Sequence, residues 1–197
     1  SKFADALPFY RQERIFARLG IHISQQNMCN WTIQASRACG GYLDLLDRKI
    51  REGPLINMDE TSLQVLHEPN RPAESKSFMW VRVGSQNKRR IVLYNYFPHR
   101  SSKEAESLLE GYEGSLQTDA YSGYNIVGAW RGIWHVGCNL HSRRKFFEAD
   151  VGAKGKGHAK TGLKYIKRLY RIEHELRYTK LSDSEFVVAR RKAVAPV

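Results

Sequence analysis

The chain has 197 residues, of which 42% are hydrophobic, and it carries a formal net charge of +12 with a pI of about 9.8. This composition supports a folded core and excludes an intrinsically disordered chain. No apolar run approaches the ~18 residues of a membrane span, and no signal-peptide pattern opens the chain, so we expect a cytoplasmic protein with no membrane partner. The three cysteines are scattered and predict no disulfide framework.

The excess positive charge is concentrated in residues 143–180, which contain twelve lysines and arginines against four acids. A surface of this kind favours a polyanionic partner because binding releases counterions. Nucleic acid is therefore the first candidate partner, and a basic protein with an unrelated role is the alternative.

Residues 7–19 have the apolar periodicity of a helix that Gly20 ends, and Ser24 is predicted to cap a second helix with Met28, Trp31, Thr32 and Ala35 at i, i+3, i+4 and i+7. This order is typical of a helix-turn-helix, whose second helix enters the major groove. The residues at its start would then face the bases, and amide side chains suit adenine; they are Gln25, Gln26 and Asn27. An ordinary helical hairpin has the same pattern.

Gly40 and Gly41 are predicted to break the second helix, and residues 42–51 predict a third. Gly53 and Pro54 then end the helical region, so residues 1–52 are predicted to form a helical DNA-binding segment.

Beyond residue 53 the pattern changes to short apolar runs that predict strands, at 55–58, 78–83, 91–96, 115–118 and 133–136. The second and third are predicted to form a hairpin around a turn at 84–88. A capping box at Ser101 and Glu104 predicts one helix, and another follows at 139–149. The predicted fold class is α/β, a mixed sheet with helices on its faces.

Two acids stand where strand-like runs stop: Asp59 follows the run at 55–58, and Asp119 follows the run at 115–118. Functional groups collect at strand ends in α/β sheets. Two converging carboxylates provide the hard oxygen ligands that divalent metals prefer, although a lone Asp in such a place is more often a turn former.

Cys138 and His141 lie three residues apart at a strand-to-helix junction. A structural zinc would need two more ligands, so a polar structural cluster is the favoured interpretation. Three cations follow directly and are predicted to contact phosphate: Arg143, Arg144 and Lys145.

The run of glycine and lysine at 152–157 is predicted to be a hinge, because no Gly-Lys-Ser/Thr completes a phosphate loop. A basic helix is predicted at 161–178, with Lys164, Lys167 and Arg168 as DNA contacts, and a second capping box begins at Ser182.

Several motifs in consistent order resemble the transposases of the insertion sequence 66 family. They are Leu-Pro-Phe-Tyr-Arg-Gln-Glu at 7–13, Asn-Trp at 30–31, Met-Asp-Glu-Thr at 58–61, Lys-Ser-Phe-Met-Trp at 76–80, Ile-Val-Leu-Tyr at 91–94, Leu-Gln-Thr-Asp-Ala-Tyr-Ser-Gly-Tyr at 116–124 and His-Val-Gly-Cys-Asn-Leu-His-Ser-Arg-Arg-Lys-Phe, which begins at His135. The resemblance implies a DDE-type transposase with a ribonuclease-H-like core that uses Mg²⁺ or Mn²⁺ to cleave and join DNA.

By this resemblance, Asp59 and Asp119 are the first two catalytic, metal-binding acids, and Glu60, Cys138 and His141 support them. The implied partners are the terminal inverted repeats of an insertion sequence, target DNA, further copies of the chain and other proteins of the same element, in the bacterial nucleoid.

The resemblance also implies a third acid, a Glu on a late helix that follows a helical insertion. No Glu of this chain is expected to take that role: Glu148, Glu173, Glu175 and Glu185 all come too early. We therefore expect a fragment that is inactive alone. It would comprise the helical segment 1–52, a core at 53–150 lacking its last helix, and the start of a basic insertion at 151–197. The alternatives are a non-catalytic DNA-binding regulator on the same scaffold and a simple nuclease.

Overall fold

A computed structural model describes residues 2–87, 89–153 and 157–197. The helices are α1 (Phe9–Arg18), α2 (Gln25–Ala38), α3 (Gly40–Arg51), α4 (Ser102–Leu109), α5 (Asn125–Gly128), α6 (Asn139–Gly152), α7 (Ala159–Arg177) and α8 (Asp183–Val194). The strands are β1 (Leu55–Gln64), β2 (Lys76–Gln86), β3 (Arg89–Phe97), β4 (Gly114–Thr118) and β5 (Ile133–Gly137). A single 3₁₀ turn, Ser122–Tyr124, leads into α5.

The strands form one mixed sheet in the order β3-β2-β1-β4-β5. The first three strands pair antiparallel as a meander, while β4 pairs parallel to β1 and β5 parallel to β4. The helix-containing connections between the parallel strands follow from the crossover that parallel pairing requires. This mixed sheet, with helices in its connections, confirms the predicted α/β class.

The core lies between the sheet and the helices that cover it. Trp80 on β2 is fully buried and meets the ring of Tyr124 edge to face, with 5.8 Å between centroids. Helix α4 contributes buried side chains at i, i+3 and i+4 spacing: Ala105, Leu108 and Leu109. Its predicted capping box is present, because the Ser101 N–H donates to Glu104 at 3.0 Å.

The N-terminal helices begin and end close to their predicted limits. The Ser24 side chain accepts a hydrogen bond from the Asn27 N–H at 3.2 Å, as expected of an N-cap. Helix α2 ends at Ala38, so the predicted break near Gly40 and Gly41 is present. Both glycines are the first residues of α3, which therefore begins two residues before the predicted start at Tyr42.

Helix α3 packs against the sheet, where Ile50 is completely buried in the main core. The proposed boundary after residue 52 thus separates α3 in sequence from strands that it touches in space. Whether residues 1–52 act as a unit of their own stays a prediction.

Strand β1 is longer than predicted. The apolar run stops at Met58, but the antiparallel register with β2 continues from Asp59 opposite Val81 to Gln64 opposite Lys76. Asp59 and Glu60 therefore lie inside a strand, and the prediction that a strand ends before Asp59 was wrong. Backbone pairing with β2 extends the strand where the side chains no longer provide an apolar pattern.

The β2–β3 hairpin is confirmed, although its strands extend to Gln86 and from Arg89, so the predicted turn at 84–88 is too long. Asn87 adopts a left-handed backbone with φ of 50° at the turn. Lys88, also part of that prediction, lies outside the described residues.

Gly84 on β2 faces α3 at a distance that excludes a side chain. A Cβ there would lie 2.7 Å from Cγ1 of Ile50 and 3.1 Å from the Leu55 carbonyl oxygen. We expect Gly84→Ala to lower the free energy of unfolding by about 1–3 kcal/mol, measured by urea denaturation. Gly137→Ala on β5 is the control, because its Cβ would meet nothing within 4 Å. Equal stability of the two variants would contradict this packing.

Helices α6, α7 and α8 follow the sheet. Gly162 on α7 lies against the Phe146 ring of α6, and Arg190 on α8 pairs with Glu173 on α7 at 2.9 Å. The second capping box is present at Ser182. Of the predicted hinge at 152–157, residues 154–156 lie outside the described residues. No helix in the described part of the chain has the length and apolar character needed to cross a membrane.

Candidate active site

The two predicted catalytic acids lie at the same level on neighbouring strands. Strands β1 and β4 pair in parallel as far as Asn57 opposite Gln117. Asp59 and Asp119 each come two residues after that pair, on β1 and immediately beyond the end of β4. The parallel register therefore brings both carboxylates to one edge of the sheet, where β4 stops and β1 continues alone beside β2.

Asp59 faces solvent, with its side chain 56% exposed. Its Oδ1 accepts a hydrogen bond from the Glu60 N–H at 3.0 Å, and its Oδ2 lies 3.6 Å from Nε2 of His141. The Glu60 N–H therefore holds Oδ1 of Asp59, and Oδ2 lies toward helix α6.

Asp119 is held more firmly. Its Oδ1 accepts from the Tyr121 N–H at 2.9 Å, which is the Asx-turn bond that short carboxylates form at chain reversals. Its Oδ2 lies 3.8 Å from Nη2 of Arg100. One oxygen of Asp119 therefore forms the turn, while the other lies toward Arg100.

Thr118 fixes the backbone directly before Asp119. It is completely buried, and its hydroxyl donates to the Asp119 carbonyl oxygen and contacts Nε2 of His135, both at 2.8 Å. The Cys138 N–H donates to the Thr118 carbonyl oxygen at 2.8 Å. The ends of β4 and β5 are thereby joined beside the site. The sequence did not indicate this role for His135, because a strand histidine carries no such signal.

Glu60 points into the protein, opposite to Asp59, because successive strand side chains alternate. Its side chain is only 1% exposed. One carboxylate oxygen accepts from the Tyr124 hydroxyl, and the other forms an ion pair with Arg100. Burial, followed by the nearby Glu60 carboxylate, raises the pKa of Tyr124 well above its ordinary value, so the phenol remains a donor.

Cys138 and His141 meet the site from the start of α6. The Cys138 thiol is free and half-buried. His141 is one helical turn further on, which directs its ring toward Asp59. Its Nδ1 is buried and has no hydrogen-bond partner among the residues that the structure describes.

The donor set fits a hard divalent cation at the two Asp carboxylates. In each, Oδ2 accepts no backbone hydrogen bond in the described structure and lies toward a cationic or imidazole side chain, His141 for Asp59 and Arg100 for Asp119. Residues 2–87, 89–153 and 157–197 contain no group of three or more His, Cys, Asp or Glu side chains arranged to hold a metal.

The residues predicted to bind DNA are all exposed. Gln26 donates to Asn30 at 3.0 Å along α2, and Lys145 pairs loosely with Glu148 on α6. DNA contact by these side chains stays a prediction; they are Gln25, Gln26, Asn27, Arg143, Arg144, Lys145, Lys164, Lys167 and Arg168.

A cavity of about 690 Å³ opens beside Asp119, between the loop after β4 and helix α6. Its polar lining includes Arg100, His141, Ser142 and Lys145, and its apolar wall includes Phe146. Arg100 was missed by sequence reasoning, because it lies in a loop with no motif and its partner Glu60 is distant in sequence.

Comparison with known proteins gives one family. The sequence profile described as Transposase IS66 family matches residues 1–197. Among similar curated proteins, Uncharacterized protein y4jD of Sinorhizobium fredii is 31% identical over 100% of this chain and 40% of its own length. Uncharacterized protein y4qI of the same organism is 29% identical over 90% of this chain and 35% of its own. The chain therefore spans two-fifths or less of these relatives.

One similar solved structure is a cryoEM structure of the simian T-cell lymphotropic virus intasome in complex with PP2A regulatory subunit B56 gamma. It aligns with 71% of this chain and 48% of its own chain at 15% identity, with a TM-score of 0.35.

Proposed function

Because the chain belongs to the transposase IS66 family, we propose that it carries the first two acids of a metal-dependent site that cleaves the ends of an insertion sequence and joins them to target DNA. The observation that supports this most is the placement of Asp59 and Asp119, each two residues after the last parallel pair of β1 and β4. Two carboxylates fixed at one level suit phosphoryl transfer at a metal centre.

Asp59 and Asp119 would hold Mg²⁺ or Mn²⁺. When bound, these cations activate a water or 3′-hydroxyl and stabilise the leaving oxygen of a phosphodiester. The residues of the chain orient the acids. The Asp119 carboxylate is fixed by the Tyr121 N–H, and the backbone before it is fixed by Thr118. Nε2 of His141 stands 3.6 Å from the Asp59 carboxylate, so His141 would help to keep that carboxylate directed toward α6.

DNA is the proposed partner, as terminal inverted repeats and as target. The charge of +12 supports this, since phosphate contacts provide most of the sequence-independent affinity for DNA. The exposed cations of α6 and α7 would follow the backbone, and the start of α2 would read bases. A second copy of the chain and other proteins of the same element remain proposed partners.

One observation favours the alternative, a non-catalytic DNA-binding regulator. Within the described residues, no third acid joins Asp59 and Asp119 to complete a metal-binding group. A regulator would bind the inverted repeats equally well with or without divalent metal.

A strand-transfer assay tests the proposal. The longer family protein that contains this chain is incubated with duplexes that end in the inverted repeat of its element, together with a plasmid target and Mg²⁺. We expect joined products that disappear in EDTA. Cleavage without joining would indicate a simple nuclease, and metal-independent binding without cleavage would indicate the regulator.

A further inference from the structure

Arg100, in the loop before α4, is held by contacts to its side chain and to its backbone. Its guanidinium forms an ion pair with the buried Glu60 carboxylate and lies 3.7 Å from the centre of the Tyr121 ring. The Tyr121 hydroxyl donates back to the Arg100 carbonyl oxygen at 2.8 Å. Side chain and backbone are therefore both held, and an arginine held this way loses little conformational entropy on binding a ligand.

The Arg100 guanidinium retains N–H groups that can donate hydrogen bonds to a ligand. Both contacts to Glu60 use Nε and Nη2, and Nη1 forms no hydrogen bond within the described part of the chain. The side chain is 35% exposed and lines the 690 Å³ cavity beside Asp119. Lys145 lines the same cavity from α6. Two cations thus face one space at the edge of the acidic pair.

We propose that Arg100 binds a DNA phosphate in this cavity, with Lys145 as a second cation, and that Glu60 and Tyr124 are the positioning residues that hold Arg100 in place. Arginine suits this role because its rigid guanidinium carries five donors, so it can hold Glu60 through Nε and Nη2 and still donate to a phosphate through Nη1. Glu60 cancels the charge of Arg100 at long range, but it leaves the direct hydrogen bond from Nη1 intact. The proposal rests on the proposed function, in which DNA lies across the Asp59 and Asp119 edge.

The test is fluorescence anisotropy of the 197-residue chain with a labelled duplex carrying the inverted repeat, in EDTA and over a range of salt concentrations. We expect Arg100→Gln to weaken binding about tenfold and to lower the salt slope by about one. Arg131→Gln removes an equally charged, exposed side chain outside the cavity and is the matched control, expected to weaken binding much less. Equal losses for the two variants would overturn the proposal.

Two further variants distinguish an effect of the positioned Arg100 guanidinium from an effect of net charge alone. Arg100→Lys preserves the charge but not the fork, and we expect it to bind nearly as weakly as Arg100→Gln. Glu60→Gln removes a negative charge, which by net charge alone would strengthen DNA binding. We expect it to weaken binding instead, because Arg100 is released. Wild-type affinity in Arg100→Lys, or tighter binding in Glu60→Gln, would refute the role of the positioned fork.

Thermal melting followed by circular dichroism shows whether each variant is folded. If Glu60→Gln does not fold, the two Arg100 variants decide the question alone. Because the assay contains EDTA, it is independent of metal at Asp59 and Asp119. Failure of Mn²⁺ binding would count against the proposed function only, and an unaffected Arg100→Gln would count against Arg100 only. A wild-type chain that does not bind the duplex would refute both.

Discussion

Asp59→Asn and Asp119→Asn are each expected to weaken Mn²⁺ binding by at least about tenfold, since even the loss of a group that only orients a metal ligand costs that much. Asparagine retains the size of the side chain and one carbonyl oxygen but removes the negative charge that a hard cation prefers. The measurement is calorimetric titration, or the loss of the free Mn²⁺ electron paramagnetic resonance signal.

The control for both is Asp44→Asn, an exposed aspartate on α3 that takes no part in the site. The same variants should bind duplex DNA in EDTA as well as the wild type does, or slightly better, because they remove repulsion toward phosphate. In the longer family protein they should reduce end cleavage by about 10³-fold or more, if metal supplies several kcal/mol of transition-state stabilisation. Mn²⁺ affinity that changes no more than in Asp44→Asn would contradict the assignment.

Asp47→Ala is expected to destabilise the fold by about 3 kcal/mol, because it leaves Arg82 buried without its charge partner. Arg82 lies on β2 and is only 2% exposed, and its Nη2 is 2.5 Å from Oδ1 of Asp47 on α3. It also donates to the Leu108 carbonyl oxygen at 2.7 Å and to Asn95 at 3.1 Å, so it joins α3, α4 and β3. Burial lowers the pKa of the Arg82 guanidinium, and Asp47 opposes this effect.

Equilibrium urea unfolding measures this loss, with Asp44→Ala on the exposed side of the same helix as control. That control should change stability by less than about 0.5 kcal/mol. If the two alanine variants unfold at the same urea concentration, Asp47 does not compensate the buried charge.

The strands of the sheet could be predicted from the sequence because their signals are local. Apolar runs gave every strand, and the capping boxes at Ser101 and Ser182 gave two helix starts. The predicted end of β1 was wrong because the length of a strand also depends on the neighbouring strand with which its backbone pairs. Strand β1 continues through Asp59 because β2 pairs with it, although its apolar run stops at Met58.

Some residues of the candidate site could likewise be identified from local sequence, and others could not. Asp59 and Asp119 could be identified because each follows an apolar run, and the parallel register then places them side by side. Arg100 could not be identified, because what distinguishes it is contact with Glu60 and Tyr121, which are far apart in sequence. Glu60 was expected to support the acids, and its burial indicates one way in which it would do so, through Arg100.

The most direct test of the account is the position of bound metal. Crystals of the chain soaked in Mn²⁺ and measured at the manganese absorption edge should show an anomalous peak between the Asp59 and Asp119 carboxylates. That peak should be absent from Asp119→Asn crystals grown in the same way. A peak at other residues, or none at a concentration that saturates the binding seen in solution, would contradict a metal-dependent site at this edge of the sheet.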